Sequence, residues 1–517
     1  MNQFNSTSNL PNTRHRCKCH YQVRWFYSKG AFLLLFNVTL ASIACFTLLS
    51  ILSSYIKERN FQKWWIGIPV CLFGLLASVI SGWVADARLG NYKVLRIGWI
   101  LLFLTKMAFS AFFLVPTNLQ NYYVAYTLFT LGGSIFMVGL VASIVTSLQL
   151  GLDQMPDASS SSITAFIAWY IFSIFVGVWL SFIAVYCFSK SCTSVLHNTN
   201  STQLLLIVPP LCMSIILVLD FILAKSWLII EPNSPQAIKT IYQVLKFAAK
   251  HKAPLNRSAL TYWEEDVPSR MDLGKSRYGG PFTTEQVEDV KTILRLFTLS
   301  ISLWFVCFPL MLNNSRMIAK INPLGSTYCN SLLIGLVTYN TWWYGMICTL
   351  INEFVIYPVF RNKFPSILKR IGLVSFVNTI LNIAFLVIHL SLTQYSMNKQ
   401  MVVIILYLTS ISNGLLRMIL ICAMLELVCA QAPYRMRGLL TGYTNVLVLM
   451  FYIIEINLEL DLKYSLVIFG VKTGISLFGF ILYCLLARWY KRRVRDEDYN
   501  VQAVVEEVYD RYLSAQH

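Results

Sequence analysis

Ionisable side chains inside or at the edge of long apolar runs of the chain include Lys106, Asp220, Glu353, His389, Arg417 and Glu426. A charge in such surroundings costs about 2.5–3.5 kcal/mol on membrane-insertion scales, so each is a candidate for holding a charged group or moving a proton. Glu426 is the strongest candidate, because a carboxylate in an apolar helix can hold an ammonium group or bind a proton once desolvated. The competing reading makes it a structural carboxylate paired with Lys106 or with an arginine of a nearby loop. Glu353, in Asn352-Glu-Phe-Val-Ile-Tyr-Pro358, sits just before a helix-breaking proline, where capping or gating suits it as well as ligand contact. Lys106 in mid-run and Asp220 near the end of a run also suit snorkelling or an interhelical pair. Arg417 and Glu426 are nine residues apart, which puts them about 180° apart and roughly 13.5 Å along a helix, so they cannot face one small solute together. Tyr339, Trp342, Trp343 and Tyr344, with Trp169 and Tyr170, either line a pocket or anchor helices at a membrane interface.

These residues must be positioned by helices that cross a bilayer. Of 517 residues, 56% are hydrophobic and 13% charged, against about 25% charged in a soluble domain, which excludes a soluble enzyme. Apolar runs predict an all-α membrane protein with spans near 31–56, 64–85, 94–115, 121–150, 162–188, 203–224, 293–312, 338–360, 366–390, 401–432, 437–456 and 465–487. The expected organisation is a tail (1–30), a six-helix half (31–224), an insert with an amphipathic helix (225–292), a second six-helix half (293–487) and a tail (488–517). The net charge of +18 is a topology signal rather than a nucleic-acid footprint, because the basic residues sit in the gaps between spans. Gaps on the side of the termini and insert hold 30 Lys and Arg and the opposite gaps hold 8, or 20 against 8 without the insert. Both termini and the insert are therefore expected in the cytoplasm, with the plasma membrane as the expected location.

No signal peptide is visible ahead of the first span. The sequons at Asn200 and Asn313 fall in outward loops and are the expected glycosylation sites, whereas Asn5 and Asn256 lie on the inner side and Asn37 inside the first span. Most of the 13 cysteines lie in apolar runs, where a thiol behaves as a small hydrophobe. Cys192 and Cys329 face outward and could pair. Cys17 and Cys19 lack a second ligand pair at zinc spacing, so no metal is expected and the tail is read as disordered or palmitoylated. No cofactor is expected.

Two six-span halves joined by an inner insert resemble the major facilitator architecture, whose halves rock about a midplane site. Gly82-Trp-Val-Ala-Asp86-Ala-Arg-Leu-Gly90-Asn-Tyr-Lys93, between spans 2 and 3, is similar to the GxxxDxxGRxx-type motif of that superfamily, with one extra residue before the second glycine. Gly82 and Gly90 permit close approach and a turn. Asp86 is expected to cap span 3 or to pair with a cation across the interface of the halves, and Arg88, Lys93 and Arg96 to hold the turn at the inner surface.

In the insert, Ile238, Ile241, Leu245 and Ala248 lie at helical spacing. Tyr278-Gly-Gly-Pro281 breaks the chain, and Thr283-Thr-Glu-Gln286 opens a short helix into span 7. His251 and Lys252 belong to a basic run that suits a solvated or headgroup face. The stretch Ile241 to Lys252, then Asn256-Arg-Ser-Ala-Leu-Thr-Tyr-Trp-Glu-Glu-Asp266, Asp272-Leu-Gly-Lys-Ser-Arg-Tyr-Gly-Gly-Pro-Phe282 and Glu285 to Lys291, resembles the central insert of animal proton-coupled oligopeptide transporters. Gly151-Leu-Asp-Gln154 and Glu426-Leu-Val-Cys-Ala-Gln-Ala-Pro433 are similar to signatures of the same family.

That resemblance implies proton-driven uptake of small peptides, with a Glu-x-x-Glu-Arg motif in span 1, a lysine in span 4 and a glutamate in span 10. Span 1 carries no charge between Ala31 and Ile56 and span 4 none between Asn121 and Leu150, so only Glu426 has a counterpart. The expectation is a secondary transporter of small peptides or peptide-like solutes, with the bilayer, the solute and possible protons as partners and no nucleic acid. The alternatives are a transport-deficient sensor or scaffold, or a carrier of a non-peptide metabolite.

Overall fold

The computed structural model describes residues 28–58, 63–115, 122–155, 160–188, 199–230, 237–251, 269–311, 365–394, 399–433, 436–457 and 465–490, with a few positions between 346 and 354. The helices are α1 (Lys29–Glu58), α2 (Lys63–Val84), α3 (Asn91–Leu114), α4 (Tyr122–Thr127), α5 (Gly133–Asp153), α6 (Ser160–Phe188) and α7 (Thr199–Trp227). There follow α8 (Ala237–Lys250), α9 (Thr284–Met311), α10 (Ile367–Gln394), α11 (Lys399–Gln431), α12 (Arg437–Asn457) and α13 (Ser465–Trp489). Among the described residues, ten helical stretches are long and apolar enough to cross a membrane. The chain is an integral, multi-pass membrane protein. Each expected span coincides with helix except 338–360, which lies mostly outside the described residues.

Backbone polar groups have no water to bond with in hydrocarbon, so helices satisfy them internally. Large apolar side chains then stand outward as a lipid-facing coat, as at Phe221 (78% exposed) and Leu373 (65%). Lipid is as apolar as leucine, so interhelical contact rests on close packing and scattered polar bonds. One core joins Leu34, Ala44 and Leu48 of α1 to Leu95, Trp99 and Leu102 of α3 and Met213 and Ile216 of α7. A second joins Leu299 and Leu303 of α9, Ile371 of α10, Leu420 and Leu427 of α11 and Tyr483 of α13. A third crosses between these groups, setting Leu148, Leu152 and Phe166 against Met418 and Cys429.

Span 4 is not the single regular helix expected. A π-helical turn at Leu128–Gly132 joins α4 to α5, and Thr130 Oγ1 donates back to Tyr126 O at 3.0 Å within it. A second π turn, Ala85–Leu89, absorbs the extra residue of the Gly82–Lys93 motif. Gly90 N–H reaches back five residues to Ala85 O at 3.0 Å, and Gly90 takes φ 86°, a left-handed value that disfavours side chains, before α3 begins.

The insert differs from expectation in two details. Its helix α8 buries Val244 against Val287 and Val290 of α9 and also buries Ala248, while Leu245 is exposed rather than buried. The segment after Pro281 is no separate short helix. Thr283 and Gln286 form reciprocal capping bonds at 3.2 and 3.3 Å, and the helix they open runs without a break through Met311, across the expected boundary at 292. Asp272, Lys275, Glu288 and Lys291 pin the preceding loop to this helix, with Lys275 Nζ 2.7 Å from Asp272 and 2.6 Å from Glu288.

Candidate functional site

Among the described residues, the polar contacts between the two groups of spans collect at the end of the bundle that bears the insert. Asp86, at the π turn after α2, meets the first turn of α12: its Oδ2 accepts from Leu439 N–H at 2.8 Å and its Oδ1 from Gly438 N–H at 3.2 Å. The first amides of a helix have no intrahelical acceptor and carry the positive end of its dipole, so a carboxylate is a fitting partner there. The expectation of a cap on span 3 is thus corrected. Asp86 caps a helix, but it is α12 rather than α3, and the Arg437 guanidinium at the start of α12 adds a favourable charge across the interface of the halves.

Small residues make this approach possible. A Cβ on Gly82 would collide with Gly438 O, and one on Gly442 would collide with Ser78 O. Ser78 Oγ donates to Gly442 O at 2.6 Å. Ser78-x-x-x-Gly82 and Gly438-x-x-x-Gly442 therefore form a crossing of small residues at four-residue spacing, the signal by which Gly438 and Gly442 could have been found in the sequence. Gln149 of α5 adds a hydrogen bond to Thr441 Oγ1.

Glu426 belongs to the same end. It lies five residues before the end of α11 and is 7% exposed. Arg370 Nη2, from the first turn of α10, reaches both carboxylate oxygens at 2.6 Å. Thr164 Oγ1, from α6 in the other group of spans, donates to Oε1 at 2.9 Å. The carboxylate is thus held by an arginine of the 361–370 gap, the structural pairing expected as the alternative to Lys106, and by a threonine that carried no signal. Cys429 and Met418 of α11 pack nearby against Phe166 and Leu152.

Lys106 is not drawn to Glu426. It is fully buried within the first core, with Nζ 3.2 Å from Cys45 Sγ and 5.9 Å from the centre of the Phe136 ring. Among the described residues no carboxylate pairs with it. Asp220 forms the interhelical pair considered for it, with Arg96 Nε at 3.4 Å and the Tyr92 hydroxyl donating at 3.2 Å. Arg417 is half-buried on α11, nine residues from Glu426. Arg88 lies over the Trp83 ring at 5.8 Å, and Lys93 is exposed. Glu353, Asn313, Cys192, Cys329 and the aromatic group at 339–344 fall outside the described residues, as does the side chain of His389; Asn200 lies in the first turn of α7. Tyr170 is a core residue, its hydroxyl 2.9 Å from Ser147 Oγ, while Trp169 packs edge-on against Phe354.

The Gly151–Gln154 signature ties helix ends together. Gln154 donates to Ile229 O at 3.0 Å and accepts from Ile229 N–H at 2.8 Å. It also receives Ser28 Oγ on its own carbonyl at 3.3 Å, and Asp153 accepts from Asn91 at 2.9 Å. A small pocket of about 20 Å³ lies between α9, α11 and α12, lined by Phe297, Ser300, Met424, Val428, Tyr443 and Leu447 among others. No charged side chain lines it, and its polar groups pair with one another, as in the 3.0 Å contact of Ser300 with Tyr443.

No protein-family model matches the chain. The fold is similar to that of solved transporters. The crystal structure of the POT family transporter PepTSo matches with a TM-score of 0.60 at 14% identity, over 90% of this chain and 98% of that one. A bacterial homologue of the iron transporter ferroportin in an outward-facing state matches at 0.57 and 13% identity, over 89% and 99%. The major facilitator superfamily proton:xylose symporter XylE, bound to 6-bromo-6-deoxy-D-glucose, matches at 0.52 and 14% identity, over 90% and 95%. The fold is the all-α major facilitator fold.

Proposed function

We propose that this major facilitator chain is a secondary transporter of small peptide-like solutes that works by alternating access, here with its insert-side gate closed. The observation that carries the reading is the seating of Asp86 on the first amides of α12, across the two halves. A scaffold has no need of a polar, small-residue crossing of this kind between its halves. An alternating carrier needs a contact strong enough to close and weak enough to break, and one carboxylate on two exposed-end amides supplies that.

Glu426 is the second element of the latch. With Arg370 on both oxygens its charge is already answered in this state, so it is not free to receive a solute. Opening the gate separates Thr164 from Glu426, and a proton or a solute ammonium that competes for the carboxylate favours that separation. This gives Glu426 a route to coupling that needs no acidic motif in span 1. The peptide-like class is supported by the insert and span-10 signatures together with the likeness of fold to a POT family transporter. The proposed orientation places the gate and insert in the cytoplasm, on the 30-to-8 split of basic residues.

Uptake of a labelled dipeptide and its carboxyl-amidated analogue into proteoliposomes, with and without an inward proton gradient, tests the reading. Saturable uptake of either supports it. No saturable uptake of either under any gradient contradicts the peptide-like class and leaves a sensor or scaffold, or a carrier of a non-peptide metabolite.

A further inference from the structure

The cytoplasmic insert carries a face that neither the gate nor the fold uses. Helix α8 holds Lys239, Lys246 and Lys250 and no acidic residue. All three lysines are exposed, and among the described residues none forms an ion pair. Successive positions at 100° put Lys239, Lys246 and Lys250 within about 40° of one another. Beside them stands Tyr242, 63% exposed, with Lys246 Nζ 5.6 Å from the centre of its ring, while Leu245, 36% exposed, lies about 100–140° from the lysines on the flank of the buried side. The apolar arc of the helix is therefore wider than its own packing needs. Val244 and Ala248 are buried, while Tyr242 is left uncovered next to the cationic groups and Leu245 on the flank between the two sides.

The height of this face is set by what the buried side touches. Val244 packs on Val287 and Val290 in the first two turns of α9, and Phe247 meets Phe282 edge-on at 5.9 Å. The apolar run of span 7 begins near Ile293, three to six residues later, a rise of about 5–9 Å. The headgroup layer on each side of a bilayer is about 5–7 Å deep. Helix α8 also touches the Ala85–Leu89 turn that follows span 2, so it is braced against the bundle at that level from two sides.

We infer that the Lys239–Lys246–Lys250 face of α8, with Tyr242 and Leu245 as apolar wedges, docks on anionic lipid headgroups of the leaflet on the insert side. A basic helix face flanked by aromatic and aliphatic groups at headgroup depth matches that surface in charge and in polarity. The depth rests on the membrane-spanning reading of α9 but not on transport.

Amine-reactive footprinting of the full chain in nanodiscs, read by mass spectrometry, tests the inference. Nanodiscs expose both faces, so neither orientation nor cargo enters the result. Labelling of Lys239, Lys246 and Lys250 falls by about fivefold per lysine when phosphatidylserine replaces part of the phosphatidylcholine at low salt. It recovers as salt is raised past the point where the screening length shrinks to a few ångströms. Lys275 and Lys291, held by Asp272 and Glu288, keep the same labelling in both lipids. Equal labelling of the three α8 lysines in neutral and anionic nanodiscs overturns the inference. So does protection by inorganic phosphate in neutral nanodiscs, which would identify a soluble anion as the ligand.

Discussion

Asp86 and Leu439 are joined across the two halves by a 2.8 Å hydrogen bond from the Leu439 amide to Asp86 Oδ2. It is a contact between a side chain and a helix end, so its strength depends on the charge of the carboxylate. Asp86→Asn keeps the shape and removes the charge, at a cost of about 1–2 kcal/mol to the closed gate. Amide hydrogen exchange in 437–442 is expected to speed up by about 5–30-fold. Unchanged exchange there would show that the closed state does not depend on this residue.

The small-residue crossing predicts a steric block. Gly442→Val places methyl groups against Ser78 O, and Gly82→Leu places a side chain against Gly438 O. Both variants are expected to reach the membrane at near-normal levels, to lose uptake, and to expose the insert side to proteases. Normal uptake by Gly442→Val would mean that α2 and α12 do not close this tightly during the cycle.

Much of this arrangement is legible in the residues. The runs of apolar side chains mark the spans, Asp86 and Gly90 mark a turn between two of them, and Thr283 with Gln286 marks the start of a helix that forms with those two caps. The extra residue in the Gly82–Lys93 motif is visible as an irregularity, and the π turn at Ala85–Leu89 is its physical outcome. Partners across the bundle are not legible in this way. Arg370 looks like one of several basic loop residues until α10 brings it to Glu426. Depth along a helix shows that Glu426 needs a partner, but not which of Lys106 and the loop arginines supplies it. Within α8, spacing alone does not separate Val244 from Leu245, because both lie on the apolar arc and only the position of α9 decides which is covered.

Glu426→Gln is expected to flatten the pH dependence of uptake, since glutamine holds permanently the neutral form that protonation produces. It also leaves Arg370 without its anion, and breaking a buried pair on one side costs about 3–5 kcal/mol. Thermal unfolding in detergent should therefore move down, and Glu426→Gln combined with Arg370→Gln should restore part of the loss. A single variant with unchanged stability and unchanged pH response would remove Glu426 from the gate.

The insert has its own pH signature. Burial works against the charge of Asp272, but hydrogen bonds from Lys275, Lys291 and Ser269 outweigh it and hold its carboxyl well below the usual carboxylate range. A depressed value in the folded state means stability that is present above the ordinary aspartate value and is lost as pH falls below it. Limited proteolysis at 269–283 is expected to stay flat from neutral pH to about 4 and to rise only in stronger acid. Asp272→Asn should show the higher rate already at neutral pH.

Cargo selectivity follows from the charges left to meet a solute. A dipeptide presents an ammonium and a carboxylate roughly 5–7 Å apart. Glu426 can answer the first only once Arg370 is displaced from it, while spans 1 and 4 offer the second nothing and Lys106 is enclosed in the first core. Amine-bearing solutes with a masked carboxylate are expected to be carried better than unmodified dipeptides. A Michaelis constant in the micromolar range for a simple dipeptide would identify a cation elsewhere in the pathway.

The central claim is that the insert-side contact between the halves opens and closes. Lys93, exposed in the first turn of α3, and Lys369, exposed in the first turn of α10, stand on opposite halves at that end. Spin labels introduced there as noncanonical residues, with distances read by double electron–electron resonance in liposomes, report the gate directly. The account predicts a short-distance population at neutral pH, and a longer one that grows in Asp86→Asn, in Glu426→Gln and on acidification. A single distance, unchanged by either substitution or by pH, would contradict it.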